Sequence, residues 1–238
     1  IAKLCSTENI ALVPQGGNTG SVAAGIPDGE IILSLRKMNK IIETNPNDYT
    51  ITVQSGCILS EIHEAAKNVS RHFPLSIGSE GSCTIGGNIS TNAGGISVLK
   101  YGNMRDLVLG IEVVLADGRV VNSLKRLRKD NTGYAIKHIF MGAEGTLGII
   151  TAASLRLFPK IENKVTGFAS LKDLESTVKL LETLKEFAGD LLTSYELIPD
   201  IGLHIAKEFG DNITEPLSKR EQWNVIVEFS DTKNNDNA

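Results

Sequence analysis

The chain has 238 residues, 41% of them apolar, which is enough to bury a sizeable core in one large domain or two smaller ones. A formal charge of -4 leaves no basic stripe of the kind that tracks nucleic acid, and no apolar run reaches the ~18 residues that cross a bilayer. Cys5, Cys57 and Cys83 are an odd number without C-x-x-C spacing, so they indicate neither a disulfide framework nor a zinc knuckle, and a reducing compartment fits best.

Residues 1–8 read as the tail of a helix whose start is missing. An apolar run at 10–13 has strand character and leads into the loop P-Q-G-G-N-T-G at 14–20. Another strand is expected at 31–35, then a hairpin from 41–43 and 50–54 around the turn-forming Asn45, Pro46, Asn47 and Asp48. Leu59, Ile62, Ala65, Ala66 and Val69 recur at helical spacing, with Ser60 placed to cap. A glycine-rich stretch fills 78–95. Residues 107–116 and 119–121 form strands joined at Asp117-Gly118, where the pair supplies positive φ. The cationic run at 125–129 reads as a solvated loop, and 148–158 as a strand ending at Pro159. The polar segment 159–164 marks a domain boundary, giving domains 1–159 and 164–238. Beyond it come a strand at 165–169, a helix at 171–187, a strand at 191–197, an alternating run at 223–229 and a polar tail at 230–238. The sequons at Asn68, Asn88 and Asn212 carry little weight without a secretory route.

Gly16, Gly17 and Gly20 lack the G-x-G-x-x-G spacing of a dinucleotide site, and the residues after them hold too many breakers for a crossover helix. No P-loop pattern is present either. Successive backbone N–H groups can still form a concave nest for an anion, with Gly16 or Gly17 at positive φ, although a purely structural turn reads equally from the loop alone. The 78–95 stretch adds six glycines with Ser79, Ser82, Thr84, Asn88, Thr91 and Asn92, an inventory suited to an extended polar cofactor lying along the backbone. E-G-T-L-G-I-I-T at 144–151 suits either a strand edge facing a flat heteroaromatic ring or a buried strand with a glycine bulge.

Taken in order, P-Q-G-G-N-T-G, G-S-C-T-I-G-G-N-I-S-T-N-A-G-G, K-Y-G, V-V-L-A-D-G, R-K-D-N-T-G-Y and G-A-E-G-T-L-G-I-I-T resemble the FAD-binding domain of the vanillyl-alcohol oxidase, or PCMH, superfamily. The resemblance is to its D-2-hydroxy-acid dehydrogenase branch, hydroxyglutarate-type members above all. It is strong over 12–159 and weakens to about residue 229.

The resemblance implies an α+β chain: a PCMH-type FAD-binding domain lacking its first strand and helix, then the start of an α+β ferredoxin-like substrate or cap domain. It implies non-covalent FAD, with Pro14, Gly16, Gly17, Asn18, Thr19 and Gly20 at the pyrophosphate. Ser79, Gly81, Ser82, Thr84, Gly87, Asn88, Thr91 and Asn92 would line the flavin and ribityl region, and backbone from Gly148 to Ile150 the pyrimidine edge. The implied reaction oxidises a small D-2-hydroxy acid to the 2-oxo acid, passing electrons to an electron-transfer flavoprotein, quinone or cytochrome. The mitochondrial matrix or a bacterial cytoplasm, and a homodimer, accord with it.

Family members carry an H-x-G-D-G-N type motif that binds a divalent metal, zinc by expectation, and basic residues for the substrate. The resemblance puts these groups, and the catalytic base, in a continuation past Ala238, so the chain reads as a fragment. His63, His72, His138 and His204 are expected at packing or surface positions without i, i+4 metal partners. The alternative reading is a non-catalytic FAD-binding subunit that relies on another chain for its substrate site.

Overall fold

The computed structural model describes residues 1–210, 214 and 216–233. The sequon at Asn212 and the end of the polar tail therefore lie outside the described residues. The chain divides into two units, residues 1–95 with 102–160 and residues 96–101 with 161–238.

The first unit opens with α1 (Ala2–Thr7), then a parallel pair, β1 (Leu12–Gln15) and β2 (Ile31–Ser34). β1 begins and ends two residues later than the apolar run suggests, because Pro14 tolerates a two-stranded ladder in which one missing N–H costs little. Next come β3 (Ile41–Asn45), β4 (Thr50–Gln54), α2 (Leu59–Asn68), β5 (Arg71–His72), α3 (Ile85–Ser90), α4 (Val98–Tyr101, counted with the second unit), α5 (Met104–Leu107), β6 (Val108–Val114), β7 (Val120–Ser123), α6 (Lys137–Phe140), β8 (Ile149–Arg156) and β9 (Phe158–Pro159). An antiparallel sheet runs in the order β3-β4-β8-β6-β7, and β5 pairs with β9.

β8 is the central strand and is buried from Ile150 to Leu155, so its small residues Ala152, Ala153 and Ser154 allow close packing on both faces. Ile51 and Val53 from β4, Ile111 and Val113 from β6, Ile62 and Ala66 from α2, Ile85 and Ile89 from α3, and Met104 and Leu107 from α5 complete the core.

Two local expectations are corrected. Ser60 does not cap α2: the helix starts at Leu59 with Ile58 as its N-cap, and Glu61 Oε2 accepts the Ile58 N–H at 3.3 Å. At the β6–β7 turn only Gly118 has positive φ, at 84°; Gly118 N–H donates to Leu115 O and Leu115 N–H to Arg119 O, so this is a three-residue loop with a glycine bulge.

The second unit holds β10 (Asn163–Leu171), α7 (Leu174–Ala188), β11 (Leu192–Pro199), α8 (Asp200–Phe209) and β12 (Trp223–Asp231). β12 lies between β10 and β11 and is antiparallel to both, so β10-α7-β11 forms a split β-α-β unit. Asp173 caps α7 by accepting the Ser176 N–H at 2.8 Å, and Gly189 at φ 50° ends it. Leu192, Val225 and Val227 form its buried centre, under Leu181 and Leu184 of α7. Lys100 of α4 donates to Ser230 O at 2.9 Å and so ties α4 to β12.

Candidate cofactor-binding site

Three glycine-rich segments of the first unit line one cleft of about 250 Å³: residues 14–20 after β1, residues 77–93 around α3, and residues 144–150 leading into β8. Two of its glycines are where these segments touch. A Cβ on Gly16 would collide with Thr84 Oγ1, and one on Gly17 with the Ser82 carbonyl, so the first loop seats directly on the second. Gly142 N–H donates to Ile89 O at 3.2 Å and Glu144 N–H to Ser90 O at 2.9 Å, which fixes the third segment against α3.

The loop at 16–20 has no helical turn, and its left-handed residue is Asn18, at φ 54°. The expectation of positive φ at Gly16 or Gly17 is thus corrected: those glycines serve close approach, while Asn, the side chain most tolerant of this conformation after glycine, makes the turn. Gln15 Nε2 donates to Gly25 O at 2.7 Å and closes the base of the loop. Among the described residues, the N–H groups of Gly17, Asn18, Thr19 and Gly20 have no protein acceptor.

The cleft contains two further unsatisfied groups. Ser55 Oγ and Thr84 Oγ1 both line it, and both are buried without a protein hydrogen-bond partner among the described residues. A buried hydroxyl left unpaired costs about 1–3 kcal/mol, so a polar ligand that reaches them recovers that cost. Among the described residues, Glu144 is the one ionisable side chain in the lining, and it is exposed. An anion here would therefore be held by backbone dipoles rather than by lysine or arginine. These features fit a bound FAD: free amides, apolar Ile77, Ile149 and Ile150, glycine backbone and unpaired hydroxyls share one lining.

Of the residues singled out from sequence, Pro14, Gly16, Gly17, Asn18, Thr19, Gly20, Ser79, Thr84, Gly87, Asn88, Thr91, Gly148 and Ile150 line this cleft. Gly81 and Ser82 do not; with Arg36 and Glu61 they line a separate cavity of about 210 Å³, whose wall Thr84 shares. Asn92 is spent on structure, since its Oδ1 accepts the Arg105 N–H at 2.9 Å and its φ is 49°. Sequence reasoning passed over Ser55, a lone serine before a glycine at the end of β4, and Gly86, whose Cβ would press on Ser55 Cβ at 2.6 Å. The signal for both was faint: only the contact between α3 and the end of β4 gives them a role.

The first unit's His63, His72 and His138 do not line the cleft. His63 Nε2 meets Leu75 O at 2.8 Å, and His138 lies on α6. His204 does have an i, i+4 acidic neighbour, Asp200 at 3.1 Å, contrary to expectation, but Arg220 Nε also donates to that carboxylate at 2.8 Å. No group of three or more potential metal ligands occurs among the described residues. Nor, among these residues, is any helix long and apolar enough to cross a membrane.

The family described as an FAD binding domain matches residues 1–123. The chain is 38% identical over 229 residues to the mitochondrial D-2-hydroxyglutarate dehydrogenase of Arabidopsis thaliana, a match covering 96% of this chain and 41% of that protein. It is 36% identical over 231 residues to the D-2-hydroxyglutarate–pyruvate transhydrogenase of Saccharomyces cerevisiae, covering 97% and 47%. Among solved structures, an alkyldihydroxyacetonephosphate synthase superposes with a TM-score of 0.75 at 22% identity over 96% of this chain and 44% of its own, a likeness of fold. The chain spans under half the length of these relatives.

Proposed function

This chain belongs to the FAD-binding domain family, and from that premise we propose that it is the FAD-binding part of an oxidoreductase converting a D-2-hydroxy acid to the 2-oxo acid. The observation that carries the proposal is the cleft itself, where four acceptor-free amides at 17–20 and two buried, unpartnered hydroxyls open into one nearly uncharged space. Bound FAD supplies a hydride acceptor at its flavin ring. The amides of Gly17 to Gly20 are suited to the diphosphate, and the Ser55 and Thr84 hydroxyls to polar atoms farther along the cofactor. Backbone at Gly148 to Ile150 and the Gly87 side of α3 would line the flavin ring and keep water from it.

D-2-hydroxyglutarate is the first substrate to test, because both curated relatives are named for it; D-lactate and glycolate are the next. The base, the carboxylate-binding cations and a divalent metal, zinc by family resemblance, are assigned to other parts of a longer protein. The electron acceptor is proposed to be external, a flavoprotein, quinone or cytochrome, and the setting a mitochondrial matrix or bacterial cytoplasm with the protein as a homodimer. One second reading is an FAD-binding subunit served by another chain, since among the described residues no basic side chain lines the cleft.

Titrating the purified chain with FAD tests the core of the proposal. Saturable one-to-one binding with a shifted flavin absorption band is expected; unaltered FAD spectra at saturating protein would overturn it.

A further inference from the structure

The cationic run at 125–129 is only partly a solvated loop. Lys125 pairs with Asp130 at 2.8 Å, and Arg126 with Glu43. Arg128 instead lies over the Tyr49 ring, 5.7 Å from its centroid, and the Arg71 guanidinium lies over the same ring at 4.1 Å. Next to Tyr49 in the fold, Arg156 ends β8: Leu157 N–H donates to Tyr49 O, and Thr50 is the register partner of Arg156. The Arg156 guanidinium stacks on Phe158 at 4.4 Å, and its buried Nε has no hydrogen-bond partner among the described residues.

Glu43 and Asp130 hold the two neighbours of the run, and Asp48 accepts from Asn45 Nδ2 at 3.1 Å. Among the described residues no carboxylate pairs with Arg71, Arg128 or Arg156. An aromatic face offsets one cation by about 0.5–1 kcal/mol at an exposed site, yet here two cations share one ring and a third stands beside it. Burial and the charge of Arg128 both lower the Arg156 pKa, in that order. Arg71 also donates Nε to Pro46 O at 3.0 Å and Nη1 to Ser70 O at 2.8 Å, but these acceptors are neutral carbonyls. Guanidinium charges without a paired carboxylate among the described residues are stabilised by an oxyanion, and the planar guanidinium fork matches phosphate geometry.

We propose that Arg71, Arg128 and Arg156, gathered on Tyr49 and Phe158 at the far end of β8, form a phosphate-binding site separate from the cofactor cleft. Ile150 lines that cleft and Arg156 lies six residues along the same strand, about 20 Å away at ~3.3 Å per residue. The ligand is a dianionic phosphate group, from inorganic phosphate or a small phosphate monoester.

The test is a ³¹P NMR titration of inorganic phosphate against the intact FAD-loaded chain at constant ionic strength set with chloride, repeated with R128Q and R128K. Saturable broadening is expected for the natural sequence, with half-saturation about tenfold higher in R128Q and an intermediate value in R128K, which keeps the charge and loses the fork. Arg128 is exposed on a loop, so R128Q is expected to stay folded, and unchanged flavin absorbance checks this. A parallel series with glycerol phosphate separates the two sources, tighter binding than phosphate assigning the site to monoesters and weaker binding to the free ion. Broadening that never saturates, or identical curves for the natural chain and R128Q, would overturn the site. Displacement by succinate at equal concentration would overturn the phosphate assignment.

Discussion

Gly86 and Gly87 are adjacent on α3 and lack side chains for different reasons. A Cβ on Gly86 would sit 2.6 Å from Ser55 Cβ and 3.0 Å from Ser55 O, so Gly86→Ala forces the helix off the end of β4. A cost of about 1–3 kcal/mol in folding stability is expected, read from denaturant midpoints. A Cβ on Gly87 would meet only Thr84 Oγ1, at an ordinary 3.5 Å, and would otherwise project into the cleft. Valine is no worse than glycine in a helix, so Gly87→Val should leave the unfolding midpoint near that of the natural chain. It should also weaken FAD binding by roughly a hundredfold, about 2.7 kcal/mol, by occupying the ligand's space. Equal FAD affinity in Gly87→Val would remove α3 from the cofactor wall.

At the scale of the element, the short helix α6 contains a pH-sensitive group. His138 titrates below its ordinary 6.5 because burial disfavours the imidazolium, with the Lys137 and Arg105 charges adding to this and Asp106 opposing it, and its buried Nδ1 has no partner among the described residues. A cationic group with a depressed folded pKa binds more protons when unfolded, so its contribution is complete above 6.5 and is lost as pH falls from there through the folded value. Unfolding midpoints of the natural chain should therefore decline on acidification from about pH 7 to about pH 5 more steeply than those of His138→Gln. Parallel curves would show that His138 does not titrate differently on folding. α2 was legible from sequence because a 3.6-residue apolar pattern reports which face is buried, and the β3–β4 hairpin because Asn45, Pro46, Asn47 and Asp48 mark its turn. α3 was not, since Ile-Gly-Gly-Asn-Ile-Ser has poor helix propensity and forms only where Ile85 and Ile89 insert into the core and Gly86 fits against Ser55. The two-residue β5–β9 ladder, too short for any period, was invisible for the same reason.

Across the whole molecule, composition and motif order located the cleft, because a ligand that lies along backbone must be met by residues with little side chain, and that requirement is written directly into sequence. Gly81, Ser82 and Asn92 lie outside the cleft lining, because glycine and short polar residues serve tight packing as readily as they serve a ligand, and sequence alone does not separate the two uses.

The same distinction bears on what the 238 residues can do unaided. Oxidising a 2-hydroxy acid needs a base for the hydroxyl proton and cations for the carboxylate, together with the flavin. Among the described residues, the ionisable side chain in the cleft lining is Glu144 alone, an exposed carboxylate that would repel an anionic substrate rather than seat it. General-base catalysis is worth roughly 10² to 10⁴ in rate, and holding substrate against the acceptor is worth more still, so a chain with the cofactor and neither of these should be silent. We therefore expect the chain to bind FAD and yet show no bleaching of the flavin when D-2-hydroxyglutarate, D-lactate or glycolate is added without oxygen. A longer protein containing this chain should bleach with one of the three acids and lose that activity on chelation. Bleaching by the 238 residues alone would place the proton acceptor within them, and Glu144→Gln would then be the first variant to make.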